Sequence, residues 1–555
     1  MGKINPDFDR CFRRGQQLIS RGETLQALDA FAEAMEKIEP TESPNEYTVC
    51  AFQSAAAARK AGWHQEADQF LSMIARFESA PTRIRLRAAS ERVEQAMDWL
   101  AADVALNASL EAVALAGELD VPEIMAQQYG NMGLIEMRLG NYDAAHDNLL
   151  RSAALYGDLG DATNQARAWA ALGSVAVKID DFKAAEDYFS DAYEALLWLE
   201  DFEQAAIPRA QHGHLLRRQG DFHRAYSVLL EAESLMEEGS LRRIELNLDL
   251  AGVEMELGHW DQAWQRIGDV DGMTPGLRAK ARYAQVDWYV GYGRLGDALE
   301  AVEESYALFA SRSDKQGVLA TSILRARILW AMGKAPEGLP DFQEIGELPN
   351  IRLVLELFSI ERSLAKGELD VAVSLLRGVA RLGKELRLGA HLQQVQTMAG
   401  LVVFLQGKRS AEELETHTAD SAEILTSIGA YTTARNMLVR TALWLALYES
   451  YDAAERLLDI AAEIVAQVSQ CPVPESTGQS VEQVERLIAI GRGLSTTDLV
   501  RKPSENFQIR SVDQAITAWS KNDEKSFAAV LHDLSNREHH FLATTLRSFF
   551  HSRWG

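Results

Sequence analysis

Two sets of histidines in this chain have spacings that could hold a metal ion. His212 and His214 are two positions apart, so on a helix their side chains point about 200° apart and cannot share an ion. His532, His539 and His540 have i, i+7 and i+8 spacing, which would need a further acidic or thiol ligand. Neither set predicts a metal centre, and we expect no metal and no other cofactor.

Motifs for catalysis are also scarce. The sequence has no GxxxxGK[ST], no GxGxxG after a strand, no HExxH and no GxSxG. Carboxylates are so abundant that a pair of them does not by itself indicate a catalytic site. No catalytic residue is assigned, and the sequence predicts a protein that is not an enzyme.

Charge and cysteine content narrow the class of partner. The 555 residues carry a formal net charge of −25, which argues against nucleic acid and anionic membranes, since phosphate contacts need surplus Lys and Arg. Cys11, Cys50 and Cys471 form no CxxC pair, so neither a disulfide framework nor a zinc site is predicted. Scattered thiols of this kind fit a reducing cytosol.

Apolar stretches are short throughout the chain. Residues 399–407 and 441–448 are among the most apolar, yet both fall well below the roughly 18 residues that a membrane span needs. The N-terminal residues lack the apolar core of a secretory signal. We therefore expect a cytoplasmic protein with no membrane partner, and the sequence does not predict its oligomeric state.

A turn residue recurs at a nearly fixed interval along most of the chain. Eleven steps average about 39 residues, and a period in the range of 20–50 residues indicates a solenoid of stacked repeats. The twelve predicted turn positions are Gly22, Gly62, Leu100, Gly140, Asp180, Gly220, Gly258, Gly293, Gly333, Gly367, Gly407 and Glu449.

Each repeat is predicted to be a pair of helices. Glycine suits the turn because the first helix must end in a left-handed conformation. The next residue, Asn141, Asp181 or Asp221 in the best repeats, carries a side-chain oxygen that could cap the second helix. Small residues recur where the two helices should cross closely: Gly133, Gly173 and Gly213 on the first helix, and Ala145, Ala185 and Ala225 on the second.

This pattern resembles the tetratricopeptide repeat, and its 40-residue period resembles the long-helix subtype of kinesin-light-chain-like and bacterial signalling proteins. In the first repeat the small and apolar positions of the family are matched by Gly15, Leu18, Ala27, Phe31 and Ala34. The resemblance implies an all-α fold, a right-handed α-solenoid of about twelve hairpins with a C-terminal helical cap. The predicted domains are a superhelical array over 1–470, a linker with one helix over 471–510, and a cap or docking module over 511–555.

In that family the first helices line a concave groove that binds proteins or peptides. Carried over to this sequence, the groove positions are Asn131, Met137, Arg138, Arg167, Ser174, Lys178, His214, Arg217, Arg218, Lys280, Tyr283, Arg327 and Trp330. Basic side chains gathered there would attract an acidic peptide. The alternative is that they are scattered, solvent-exposed charges.

The C-terminal end departs from the repeat pattern. It could be a polar-faced cap of the last repeat, or a docking module that binds a partner through exposed Phe549, Phe550 and Trp554, or the seat of an undetected active site. Two further features are open: the repeat near residue 100 lacks a turn glycine, and Pro336 and Pro340 should delay or break the second helix after Gly333.

The functional prediction follows from the fold that the resemblance implies. We expect a non-enzymatic scaffold for protein–protein interaction, which binds an extended peptide or a partner protein in its concave groove. The alternative is a regulatory or sensor subunit that controls an effector enzyme when a bound peptide or partner changes the pitch of the superhelix.

Overall fold

The computed structural model describes residues 5–98, 101–268, 273–345, 348–385, 389–468, 481–494, 504–551 and 553. Regular structure in these ranges is entirely helical, with 28 helices and no strand, which confirms the predicted all-α fold. The residues cluster into two compact units, 1–211 and 212–555. The predicted boundaries at 470 and 510 stay a prediction.

Unit 1 is a regular run of antiparallel helices, each packed on the next in the chain. Helix α11, Phe202–Gln219, begins in unit 1 and ends in unit 2. The helices before it are α1 Pro6–Ser20, α2 Thr24–Met35, α3 Pro44–Lys60, α4 His64–Ala75, α5 Thr82–Asp98, α6 Ala102–Glu118, α7 Pro122–Leu139, α8 Tyr142–Asp158, α9 Ala162–Lys178 and α10 Phe182–Trp198.

Unit 2 continues the alternation with less regular hairpins. Its helices after α11 are α12 Phe222–Ser234, α13 Leu241–Glu256, α14 Trp260–Ile267, α15 Pro275–Gly291, α16 Leu295–Ser311, α17 Lys315–Ala331, α18 Phe342–Ile345, α19 Pro349–Lys366, α20 Leu369–Glu385, α21 Gly389–Leu405, α22 Ala411–Ser427, α23 Tyr431–Leu447 and α24 Tyr451–Val468. The C-terminal segment adds α25 Val481–Gly491, α26 Phe507–Ser520, α27 Glu524–Asn536 and α28 His540–His551.

The predicted turn residues have the predicted backbone conformation. Eleven of the twelve have positive φ, including Gly140 at 83°, Asp180 at 59° and Glu449 at 63°. The twelfth, Leu100, lies outside the described residues. Glycine dominates because L side chains strain a left-handed turn.

Two of the three predicted helix caps are present. The Asp181 and Asp221 side chains accept hydrogen bonds from the backbone N–H of Ala184 and Arg224, each at 3.2 Å. Asn141 does not cap α8. Its Nδ2 donates to Glu136 Oε2 on the preceding helix at 2.7 Å.

The two helices of a hairpin cross closely at the positions where the small residues of the sequence indicate a close crossing. A methyl group on Gly173 would lie 2.6 Å from the Phe189 ring, and one on Gly133 would lie 2.6 Å from Leu149 and 3.1 Å from the Ala145 carbonyl. Ala145, Ala185 and Ala225 are fully buried, as their role requires. The side chain that meets each glycine is, however, a large one, four positions beyond the predicted alanine.

The hairpin after Gly333 is the irregular one. Helix α17 is followed only by the four-residue α18, because the run with Pro336 and Pro340 cannot complete a regular helix. Near residue 100 the opposite holds: α5 and α6 pack as an ordinary pair.

Candidate functional site

The predicted groove residues of unit 1 lie on α7 and α9. Arg138, Arg167 and Lys178 are exposed. Arg167 Nη1 donates to Asn164 Oδ1 at 3.2 Å, and Ser174 Oγ donates to the Ala170 carbonyl at 3.1 Å. None of the six predicted residues of this unit lines the cavities described below.

In unit 2 the structure brings most of the predicted residues together. A cavity of about 840 Å³ is lined by His214, Arg217, Arg218, Tyr283 and Arg327, among others. Arg327 also lines an adjoining recess of about 170 Å³ together with Trp330. Lys280 is different, since its Nζ pairs with Glu245 Oε1 at 2.8 Å and the residue does not line either space.

The wall of the cavity is made almost entirely by first helices of the hairpins. Seven of them, α11, α13, α15, α17, α19, α21 and α23, contribute nearly all the lining residues. Phe222 and Trp260, at the starts of α12 and α14, are the exceptions. The first helices therefore line the inner face in unit 2, as the family resemblance implies.

Contacts between distant hairpins complete this wall. Thr432 Oγ1 on α23 donates to the Met255 carbonyl on α13 at 2.6 Å, and Thr433 Oγ1 donates to Glu256 Oε2 at 3.0 Å. The backbone N–H of Phe222 donates to the Ile428 carbonyl at 2.8 Å. Unit 2 thus folds back on itself, with α23 packed against α13.

Four arginines and three carboxylates face the cavity: Arg217, Arg218, Arg327, Arg440, Glu256, Asp287 and Glu361. Glu361 lies between two of the arginines, with Oε2 3.7 Å from Arg327 Nη2 and Oε1 3.6 Å from Arg440 Nη2. These separations are ion-pair distances longer than hydrogen bonds. Both guanidinium groups therefore keep donors that a ligand could use.

A second pairing orients the residues at the α11 end. Asp249 Oδ1 lies 3.2 Å from Arg217 Nη2 and 3.4 Å from His214 Nδ1. Burial by itself would raise the pKa of Asp249, but the hydrogen bond from His214 and the charge of Arg217 outweigh it and lower that pKa. Asp249 is thus held as a carboxylate that fixes both basic side chains.

Asp287 behaves in the opposite way. It is an exposed residue that lines the cavity. Desolvation raises the pKa of Asp287 to about 6, against the opposing charges of Arg327 and Arg217. Burial likewise raises the pKa of Glu256, although hydrogen bonds from Thr433 oppose the shift.

Residues 504–551 of the C-terminal segment form one wall of the recess. Asn506, Gln508, Val512, His539 and Leu542 line it from this side. The His539 ring lies 4.8 Å from that of Trp330 and is buried. The recess therefore lies between the hairpins and the C-terminal segment.

Polar contacts anchor this segment to successive hairpin turns. Glu505 Oε2 accepts a hydrogen bond from the Gly296 N–H at 2.8 Å, and Arg537 Nη1 donates to the Gly333 carbonyl at 2.6 Å. Glu538 pairs with Arg362 at 2.8 Å and with Lys366 at 3.2 Å. On the side of the C-terminal segment, the residues that make these contacts lie outside the repeat pattern.

The interpretation of the C-terminal aromatics as an exposed docking patch is wrong for two of them. Phe549 and Phe550 are 2% and 0% exposed and belong to the core of unit 2. Trp554 lies outside the described residues, as do Cys471 and residues 472–480 and 495–503 of the predicted linker.

Sequence reasoning missed Asp287, Glu361 and Arg440. The signal was present for two of them: Asp287 and Glu361 lie six residues before a turn glycine, the same offset as His214 and Arg327. Extending the groove positions of the family to every repeat would have found these carboxylates.

Within the described residues, no helix is long and apolar enough to cross a membrane. No group of three or more His, Cys, Asp or Glu in those same ranges could hold a metal ion.

Comparison with known proteins identifies the repeat. Residues 125–197, which fall within α7–α10, match the model of the tetratricopeptide repeat. This stretch therefore consists of tetratricopeptide repeats, and the family resemblance is confirmed. The kinesin-light-chain-like subtype stays a prediction. No curated protein matches the chain.

Solved structures of helical-repeat proteins resemble the chain at low identity. The apo form of RapI matches with 12% identity and a TM-score of 0.44, covering 58% of this chain and 91% of RapI. The apo form of the quorum sensor NprR from B. thuringiensis matches with 15% identity and a TM-score of 0.45, covering 64% and 100%. The APC/C hetero-tetramer Cut9-Hcn1 matches with 13% identity and a TM-score of 0.48, covering 95% of this chain and 97% of the matched chain. Likenesses this weak do not transfer a ligand or a partner.

Proposed function

We propose that this chain is a non-enzymatic interaction protein that binds an extended peptide, free or as part of a partner protein, inside the cavity of unit 2. The observation that carries the proposal is the convergence of seven first helices on one space of about 840 Å³. Ligand sites commonly have volumes of about 300–1,000 Å³. The space therefore suits a peptide segment of a few residues.

The chemistry of the lining matches a peptide backbone. Gln316, Gln394 and Asn436 each offer an amide that can both donate and accept. A bound peptide loses water from its N–H and C=O groups and needs such partners. Side chains that can both donate and accept hydrogen bonds can pair with the N–H and C=O groups of a peptide of any sequence.

Charge favours a peptide that carries an acidic residue. The arginines that face the cavity outnumber the carboxylates by one, in a chain of net charge −25. Arg327 and Arg440 share the single carboxylate of Glu361 at 3.7 and 3.6 Å. A ligand carboxylate would complete this arrangement.

The non-enzymatic part of the proposal is supported by the kinds of side chain present. Neither serine nor cysteine occurs among the described residues that line the cavity or the recess, so two of the usual side-chain nucleophiles are not placed there. Glu361 pairs with Arg327 and Arg440.

The test is selection of ligands from a displayed library of random peptides about ten residues long, roughly 33 Å when extended. Peptides enriched on the full chain are resynthesised and their Kd is measured by calorimetry. The double variant Arg327→Gln with Arg440→Gln should raise Kd by about 10-fold or more, because charge-assisted hydrogen bonds are lost.

Arg167→Gln is the matched control, since it removes an exposed arginine on a first helix of unit 1 that does not line the cavity. It should leave Kd unchanged. Selected peptides that bind the cavity variant as tightly as the unmodified chain would contradict the proposal.

A regulatory function is the second candidate, and the C-terminal segment favours it. This segment lines the recess and is anchored by Arg537 and Glu538 to hairpins that also line it. If the C-terminal segment responds to a peptide bound in the cavity, hydrogen exchange in α26–α28 will change when a selected peptide binds. Unchanged exchange there, with protection only in the first helices that line the cavity, would favour a passive scaffold.

A further inference from the structure

The recess beside the main cavity has a different chemistry from the cavity itself. Its volume is about 170 Å³ and its walls are mostly apolar, with Leu324, Ile328, Phe358 and Leu443 among them. A cavity of about 150 Å³ lined by Leu, Ile and Phe stays dry and binds benzene. The recess therefore has the size and the lining to take one aromatic ring.

Charged groups lie only where the recess meets the main cavity. Asp287, Arg327, Glu361 and Arg440 line both spaces. A ligand group that crosses this boundary leaves a polar surface and enters an apolar one. That is the arrangement expected for a peptide whose backbone stays among the charges while a single side chain points into the recess.

Aromatic side chains in the walls favour an aromatic ligand over an aliphatic one. Trp330 and Phe358 meet edge to face, with ring centroids 5.8 Å apart and planes at 78°, and Trp444 lines the same space. Aromatic rings gain by such offset and edge contacts beyond the burial of their area. A ring inserted here would find partners of this kind.

We propose that the recess is the specificity pocket for one aromatic side chain of the bound peptide, next to an acidic residue held by Arg327 and Arg440. This inference rests on the peptide-binding function proposed above. Because Val512, His539 and Leu542 form part of the pocket, the peptide is held by the hairpins and the C-terminal segment together.

The first test uses the peptides selected from the library. They should share an aromatic residue at one position, and replacement of that residue by alanine should raise Kd by about 10-fold or more. Ala331→Leu, which adds bulk in the recess, should weaken the aromatic peptides by a similar factor and leave the alanine-substituted peptides unaffected. Ala284→Leu is the control, since Ala284 is also half-buried on a first helix but lines neither space.

Different results separate this inference from the function on which it rests. Peptides that depend on Arg327 and Arg440 but tolerate both the alanine replacement and Ala331→Leu would overturn the pocket and leave the peptide-binding function standing. A library without binders would overturn the peptide-binding function.

Toluene tests the pocket without any peptide. It should raise the melting temperature of the full chain and of the Ala284→Leu variant, and have no effect on Ala331→Leu. Absence of a shift in the unmodified chain would overturn the inference whatever the peptides do. If Ala331→Leu fails to fold, Ala365→Leu fills the same recess from α19.

Discussion

The two units build helical hairpins from similar sequence signals and reach different results. In unit 1, packing runs almost entirely between helices that are neighbours in the chain. In unit 2, α13 packs on α23, and α28 packs on both α19 and α23, although these helices are far apart in sequence. Contacts of the second kind surround the cavity, so the binding site depends on interactions that lie outside the repeat.

This difference separates two physical tasks. Contacts between a glycine and a large side chain within a hairpin set how closely its two helices approach, and each hairpin carries that information itself. Closing a wall around a space needs specific contacts between distant hairpins, such as that of Thr432 with Met255. A regular repeat can therefore be a sound scaffold and still lack an enclosed site.

The largest expected effect tests the close crossings of unit 1. Gly173→Ala should destabilise the hairpin of α9 and α10 by about 1–3 kcal/mol, because the new methyl would lie 2.6 Å from the buried Phe189 ring. Gly117→Ala is the control: nothing lies within 4 Å of a methyl there, and alanine should stabilise the helix by about 0.5–1 kcal/mol. Urea denaturation followed by hydrogen exchange in α6 and α9 measures both, and equal effects would contradict the packing argument.

A smaller effect tests the contacts that close unit 2. Thr432→Val keeps the shape of the side chain but removes its hydrogen bond to Met255, at a cost of about 1 kcal/mol. We expect faster hydrogen exchange at the end of α13 and weaker peptide binding. Thr418→Val removes a buried hydrogen bond within one helix, to the Leu414 carbonyl at 2.7 Å, and should leave α13 unchanged. If both variants loosen α13 equally, the long-range contact is not what closes the unit.

The sequence was informative where a hairpin determines its own structure. The turns at Gly140 and Asp180, the caps at Asp181 and Asp221, and the helices of the best repeats all follow from local rules. Asn141 departed from those rules because Glu136 on the preceding helix competes for its side chain. Competition of this kind depends on side-chain positions that a residue type does not specify.

The candidate site was only partly predictable, for a related reason. His214 and Arg327 follow from their offset before a turn glycine, and Asp287 and Glu361 share that offset. The recess does not follow from any offset, because residues such as Val512, His539 and Leu542 come from a segment without the repeat. The burial of Phe549 and Phe550 was missed on the same grounds, since their partners lie in that segment and in unit 2.

The smallest expected effect is a pH dependence that distinguishes two carboxylates of unit 2. The folded-state pKa of Asp287, about 6, lies above its unfolded value of about 3.9. Its contribution to stability is therefore present below pH 4 and is lost as the pH rises through 6. Asp287→Asn should raise the melting temperature slightly at pH 8 and leave it unchanged at pH 4.

Asp249 should show the opposite sign, because its pairing with His214 and Arg217 lowers its pKa below the ordinary value. Its contribution is present above about pH 4 and is lost as the pH falls through the lowered pKa. Asp249→Asn should therefore lower the melting temperature at pH 8 more than at pH 3. Melting curves of both variants between pH 3 and pH 8 provide the measurement. Parallel profiles would show that these two acids of unit 2 do not lie in different electrostatic environments.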